Sequence, residues 1–209
     1  MRMHKLTYYC SNQLGRIILQ GMQEVMGVRS VDAVLSQADL SLLKNVCSPQ
    51  DPPAQIPYQQ ISGIQSSLER MYGRRGGQGL AVRSGRASFR YGLREFGEQA
   101  GITNLDFRLL PPRTKVQIGA RALAQALSQL SDQKVRVEEQ ERTYQWIVER
   151  CPLCWGRHAD VPVCHLSVGF LQEFLYWAGA GKYYPVVETE CSAAGATACV
   201  FSIDKLALD

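Results

Sequence analysis

Five of the seven cysteines in this 209-residue chain lie beyond residue 150. The run opens with Cys151-Pro-Leu-Cys154-Trp-Gly, continues with Cys164-His165, and closes with Glu188-Thr-Glu190-Cys191 and Cys199-Val-Phe. Thiolates grouped with an imidazole or a carboxylate suit zinc, a borderline-soft ion that takes a closed tetrahedral set of four. Thiols brought together can instead form a redox pair. Either chemistry requires the intervening chain to gather residues far apart in sequence.

Hydrophobic periodicity predicts how it does so. Residues 161–178 read as a helix and residues 183–191 as a strand. A loop of small residues, 192–198, leads to a second strand at 199–203, so Cys191 and Cys199 should face each other across a hairpin mouth. At about 100° per residue, Cys164 shares a helical face with Val168, Leu171, Leu175 and Ala178, and points inward. His165 falls with Gln172 and Tyr176 on another face. Glu188 and Cys191 are three apart, which a regular strand sends to opposite faces, so a ligand set containing both needs a bend or bulge. Glu190 is the substitute carboxylate.

Two plainer readings stand beside the metal site. Free cysteine is among the most buried residue types, so these can be small core hydrophobes. Cys191 and Cys199 can form a disulfide, which the odd cysteine count and the absence of a secretory signal weaken. The Cys151-x-x-Cys154 pair lacks a second C-x-x-C to complete a zinc ribbon. It reads as a turn at Pro152 or, second, as an additional metal or redox pair.

The spacing Cys164-His-Leu-Ser-Val-Gly169-Phe, then Glu188-x-x-Cys191-x-x-x-Gly195-x-x-x-Cys199, resembles the signature of the 4-vinyl reductase domain family over about residues 163–201. These small ligand-binding domains occur in bacteriochlorophyll biosynthesis proteins and in aromatic-sensing transcription activators. The resemblance implies a structural zinc held by Cys164, Glu188, Cys191 and Cys199. It also implies the ligand-binding fold of the NO-signalling and Golgi-transport type. The interval from Cys164 to Glu188 is one residue longer than in the sensor pattern, the extra residue lying near Gly179-Ala-Gly181.

Composition sets the frame. With 45% hydrophobic and 20% charged residues and a net charge of +4, the chain is an ordinary globular protein, long enough to bury a core without staples. No run approaches a membrane span, and the start lacks the apolar stretch of a signal peptide. Both point to a cytoplasmic protein with reduced thiols.

Along the chain, residues 12–26 read as a helix stopped by Gly27, and Ser30 is the expected cap of a second helix running to Leu42. Four prolines in residues 48–57 make that stretch irregular. Residues 1–47 are therefore expected as an N-terminal helical extension, 48–57 as a Pro-rich connection, and 58–209 as the ligand-binding domain. Helices are predicted over 58–72 and 81–98, with Gly73 to Gly79 as a flexible connection rather than a phosphate loop, because the Gly-Lys-Ser/Thr ending is absent. A helix over 114–130 and a hairpin of strands, 134–139 and 143–150, follow. The class is α+β, several helices packed on a small, mainly antiparallel sheet.

Arg83, Arg86, Arg90 and Arg94 share one helical face beside an apolar stripe. They form either a solvated face or a rim for ligand carboxylates, an acidic partner or a membrane surface. Nucleic acid is disfavoured at this net charge without interleaved aromatics. The candidate lining of an apolar pocket is Phe89, Phe107, Trp146, Phe170, Phe174 and Trp177.

Three function classes follow. The leading one is non-catalytic binding of a hydrophobic small molecule, with the resemblance suggesting a chlorophyll-type tetrapyrrole in pigment synthesis, delivery or photosystem assembly. The second is a 4-vinyl reductase of chlorophyll synthesis, against which stands the lack of a nicotinamide or flavin fingerprint. The third is an assembly scaffold that binds a photosynthetic complex, at the periphery of its membrane, or pairs as a homodimer. No catalytic residue is nominated.

Overall fold

The structure, a computed structural model, describes residues 7–38, 40 and 55–208. The elements run β1 (Tyr9–Ser11), α1 (Asn12–Met26), α2 (Val28–Gln37), β2 (Gln55–Pro57), α3 (Tyr58–Phe96), α4 (Leu105–Leu109), α5 (Pro112–Gln129), β3 (Lys134–Glu139), β4 (Thr143–Glu149), α6 (His165–Ala178), β5 (Val186–Glu190) and β6 (Cys199–Asp204). Cys47, the start of the chain through residue 6, the end of the second predicted helix and most of the Pro-rich stretch lie outside the described residues.

The helix α1 has the bounds its periodicity predicts. The Ser11 side chain accepts the Leu14 N–H at 3.3 Å, and Gly27, at φ 80°, ends the helix. The next helix starts at Val28, earlier than a cap at Ser30 would allow. Gly27 serves both ends, because its carbonyl already accepts the Val31 N–H at 3.2 Å.

Residues 73–79 are helical and not a flexible connection. Gly73 alone leaves helical geometry (φ 71°, ψ 165°), which kinks α3 without ending it. At the kink the two segments close on each other. A Cβ on Gly77 would lie 2.7 Å from backbone atoms of Glu69. The glycines thus provide close approach, which a propensity argument counts only as helix breaking. The short helix α4 has no counterpart among the elements the sequence predicts.

The strands β3, β4, β6 and β5 form, in that order, an antiparallel four-stranded sheet, with β1 and β2 as a separate pair. The helix α6 lies between this sheet and α3. Its contact with α3 is backbone on backbone: a Cβ on Gly85 would come 2.0 Å from the Leu166 carbonyl oxygen, and one on Gly169 would come 1.9 Å from that of Val82. One continuous core joins Ile17 and Met22 of α1, Leu68 and Phe89 of α3, Leu171, Phe174 and Leu175 of α6, and Phe201 and Ile203 of β6. The N-terminal helices therefore share the core of the remainder, and Arg16 of α1 adds a fork onto Glu95 of α3 at 3.2 and 2.6 Å.

Candidate metal centre

The helix α6 begins at His165, four residues later than its periodicity suggests. Pro162 disfavours helix at Val161. Cys164 becomes the N-cap, and its N–H donates to the Glu188 carboxylate, Oε2, at 2.7 Å. That hydrogen bond ties the start of α6 to β5. Immediately beyond Glu188 the pairing of β5 with β6 slips, a bulge between Glu188 and Glu190. The bulge turns Glu188 and Cys191 to the same side, as their spacing requires. Glu188 is buried and Glu190 exposed.

Five sulfurs and this carboxylate converge where α6 abuts the end of the sheet. Cys164 Sγ lies 3.9 Å from Cys191 Sγ and 3.8 Å from Cys199 Sγ, and Cys191 and Cys199 are 3.9 Å apart. Cys151 Sγ is 3.6 Å from Cys164 Sγ, and Cys154 Sγ 3.4 Å from Cys199 Sγ. Two sets of four have all their ligand atoms within 4.8 Å of one another: Cys164, Glu188, Cys191 and Cys199, and Cys151, Cys154, Cys164 and Cys199. A tetrahedral ion with bonds of about 2.3 Å to sulfur needs ligand edges of about 3.8 Å. The first set fits such an ion. Its carboxylate also offers Oε1, a buried oxygen without a hydrogen-bond partner.

The site concentrates negative charge. Burial, then the neighbouring Cys191, pushes the Glu188 carboxyl up to about 8. Burial likewise pushes Cys164 well above the ordinary thiol range. Hydrogen bonding from Cys154 draws Cys191 down to about 6, and hydrogen bonding from Cys151 draws Cys199 down to about 5. A divalent cation on the thiolate forms takes the place of the shared protons. Cys10 is buried elsewhere, at β1.

The model of the 4-vinyl reductase domain family matches residues 145–205, the stretch from β4 through β6 that holds all six converging groups. The chain carries a 4-vinyl reductase domain. A comparison with curated protein sequences gave no significant match. Among solved structures, a variant of the unliganded Fe(II) H-NOX protein from K. algicida superposes with a TM-score of 0.61 at 11% identity, over 95% of this chain and 97% of that one. The Fe(II)NO form of an H-NOX protein from S. oneidensis gives 0.60 at 8% identity, over 95% and 99%. An H-NOX protein in which the function of heme distortion was probed gives 0.58 at 10%, over 92% and 93%. The 4-vinyl reductase domain and the helices before it thus adopt together the NO-signalling type of ligand-binding fold.

The other candidate residues collect near the opposite end of α6. Phe89 packs against Phe170, Phe174 and Trp177 with ring centroids 5.5 to 5.9 Å apart, and Phe107 stacks on Trp177 at 5.8 Å. Trp146 stands apart, buried in β4 opposite Phe201. Phe89 and Trp177 reach a cleft of about 460 Å³, lined also by Arg90, Leu93, Arg94, Glu173 and Tyr176. Arg90 bridges Glu173 at 2.8 Å and Glu24 at 2.5 Å, and Arg86 donates to Gln172 at 2.7 and 3.1 Å. Arg94 lies over the Tyr91 ring at 5.4 Å, and Arg83 is exposed. Within the 4-vinyl reductase domain, the residues that sequence reasoning ranked second are Cys151 and Cys154. Their partners, Cys164 and Cys199, come from two other elements rather than from another C-x-x-C.

Proposed function

We propose that this protein binds a hydrophobic, ring-shaped small molecule bearing an acidic group, a tetrapyrrole of the chlorophyll type, without transforming it. The observation that carries the reading is the cleft of about 460 Å³ in which an aromatic wall, Phe89 and Trp177, meets the cationic side chain of Arg94. That size is within the range of ligand sites, and the combination suits a flat apolar body with a carboxylate at its edge. The H-NOX fold adds support, since heme is handled by a protein of this shape. Cys164, Glu188, Cys191 and Cys199 hold a structural zinc that fixes the start of α6 against the sheet. Four protein ligands close its coordination, so the ion supplies rigidity and no open position for substrate.

Titration of the purified chain with protochlorophyllide, chlorophyllide or hemin, followed by absorption and by tryptophan quenching, tests this. Saturable binding is expected, weakened roughly tenfold or more by Trp177→Ala, equivalent to about 1.4 kcal/mol of lost contact, and less by Arg94→Ala. The pigment should be recovered unchanged after incubation of a divinyl form with NADPH, reduced ferredoxin or dithiothreitol. No saturable binding, or catalytic turnover with any donor, overturns the reading.

A further inference from the structure

The C-x-x-C turn is fixed from outside so that both its sulfurs face the zinc ligands. Arg150, just before Cys151, has φ 57°, a conformation that costs a non-glycine residue on the order of 1 kcal/mol and persists only where surroundings impose it. Its guanidinium lies over the Tyr8 ring at 5.0 Å. Trp155 meets Tyr8 edge to face at 5.0 Å, and its carbonyl accepts the Ser62 hydroxyl at 2.9 Å. Arg157 pairs with Glu69 at 2.8 Å, and its N–H closes the turn on the Cys154 carbonyl at 3.0 Å. The turn is thereby attached to α3, and Cys151 and Cys154 are buried against sulfurs rather than among carbon atoms.

We infer that this turn completes a second metal site, so that the centre takes two divalent ions of the zinc type, one in each set of four, with Cys164 and Cys199 bridging them. This rests on the zinc reading above. The two sets share only the edge between Cys164 and Cys199, 3.8 Å long, and their other corners are Cys151 and Cys154 in one and Glu188 and Cys191 in the other. Among the described residues no set of five meets within the same 4.8 Å, so the six groups surround two centres and not one. The new corner is all thiolate, the donor set that favours zinc among the common divalent ions. Charge balance permits it. One ion on three thiolates and a carboxylate, with Cys151 and Cys154 as thiols, leaves two net negative charges. A second ion that displaces the two thiol protons leaves the same two. The net step is one M²⁺ bound and two H⁺ released, with no change in oxidation state.

The test uses the full chain, stripped by chelator under reducing conditions and reloaded with zinc, and then separately with ¹¹³Cd. About two zinc ions per chain are expected by elemental analysis, falling to about one in Cys151→Ser/Cys154→Ser. Far-UV circular dichroism of that double variant should match the wild type, which separates loss of a site from loss of the fold. The cadmium form should give two ¹¹³Cd resonances split by coupling through the shared sulfurs, and Cys191→Ser should shift one more than the other. One ion in the wild type, retained unchanged by the double variant, overturns the second site and leaves the structural zinc standing. Two ions without mutual coupling overturn the bridging. No metal in either protein removes the second site and the structural zinc together, and acid-labile sulfide in the isolated protein replaces both ions with an iron–sulfur cluster.

Discussion

The two ends of α6 meet the rest of the molecule through different chemistry. At its N-terminus, a few atoms at tetrahedral spacing fix the helix, and their directions matter to within tenths of an ångström. Toward its C-terminus, Phe170, Phe174 and Trp177 pack on Phe89 and leave a cleft open at the surface. Directional bonds hold one end and shape holds the other. A ligand end can therefore tolerate repacking, whereas the metal end loses its organisation with a single donor atom.

The largest effect expected to break this contrast comes from removing a donor common to both ligand sets. Cys164→Ser, or chelation of the wild type, should cost at least about 4 kcal/mol, lowering the melting temperature by roughly 8 to 16 °C. Acid should act in the same direction, because protons compete for the same thiolates and carboxylate, so metal release rises as pH falls. Thermal unfolding with a chromogenic zinc indicator reads both quantities. A melting temperature indifferent to chelator would make the two ends equivalent and the cysteines plain core.

Between the ends, Gly169→Ala would place a methyl group 1.9 Å from the Val82 carbonyl oxygen. Backbone on both sides prevents local relief, so about 2 to 4 kcal/mol of destabilisation is expected from denaturant unfolding. It should weaken zinc retention and pigment binding together, which no change confined to one end would do. The smallest effect is Glu173→Gln at the cleft rim. Its ion pair with Arg90 is partly exposed, and loss of about 0.5 kcal/mol or less is expected, with metal content unchanged. A large stability change there would show that charge, and not aromatic packing, holds the C-terminal end.

How much of this was legible depended on the range of the signal. The bounds of α1, β3 and β6 follow from local periodicity and caps, and structure and sequence agree there to within a residue. The bulge after Glu188 was foreseeable because a donor pair three apart cannot share one face of a flat strand. Gly73 to Gly79 misled, because intrinsic propensity carries no information on how closely Gly77 approaches Glu69. The convergence of Cys151 and Cys154 on Cys164 and Cys199 has no periodic signature. It depends on the turn at residues 152–156 and on the attachment of Trp155 and Arg157 to α3, contacts spanning more than eighty residues. The rim of arginines was visible as a stripe, but its partners Glu24, Gln172 and Glu173 lie on other helices.

The touching backbones of α3 and α6 also have a mechanical meaning. With no side chain between Gly169 and Val82, or between Gly85 and Leu166, the crossing is a fulcrum that resists compression while leaving tilt as the softer motion. Gly169 sits off centre along α6: at 1.5 Å rise per residue, the arm to Trp177 is roughly 12 Å and the arm to Cys164 roughly 7.5 Å. A tilt that moves the metal end by a given amount therefore swings the wall of the cleft about 1.6 times as far, in the opposite direction.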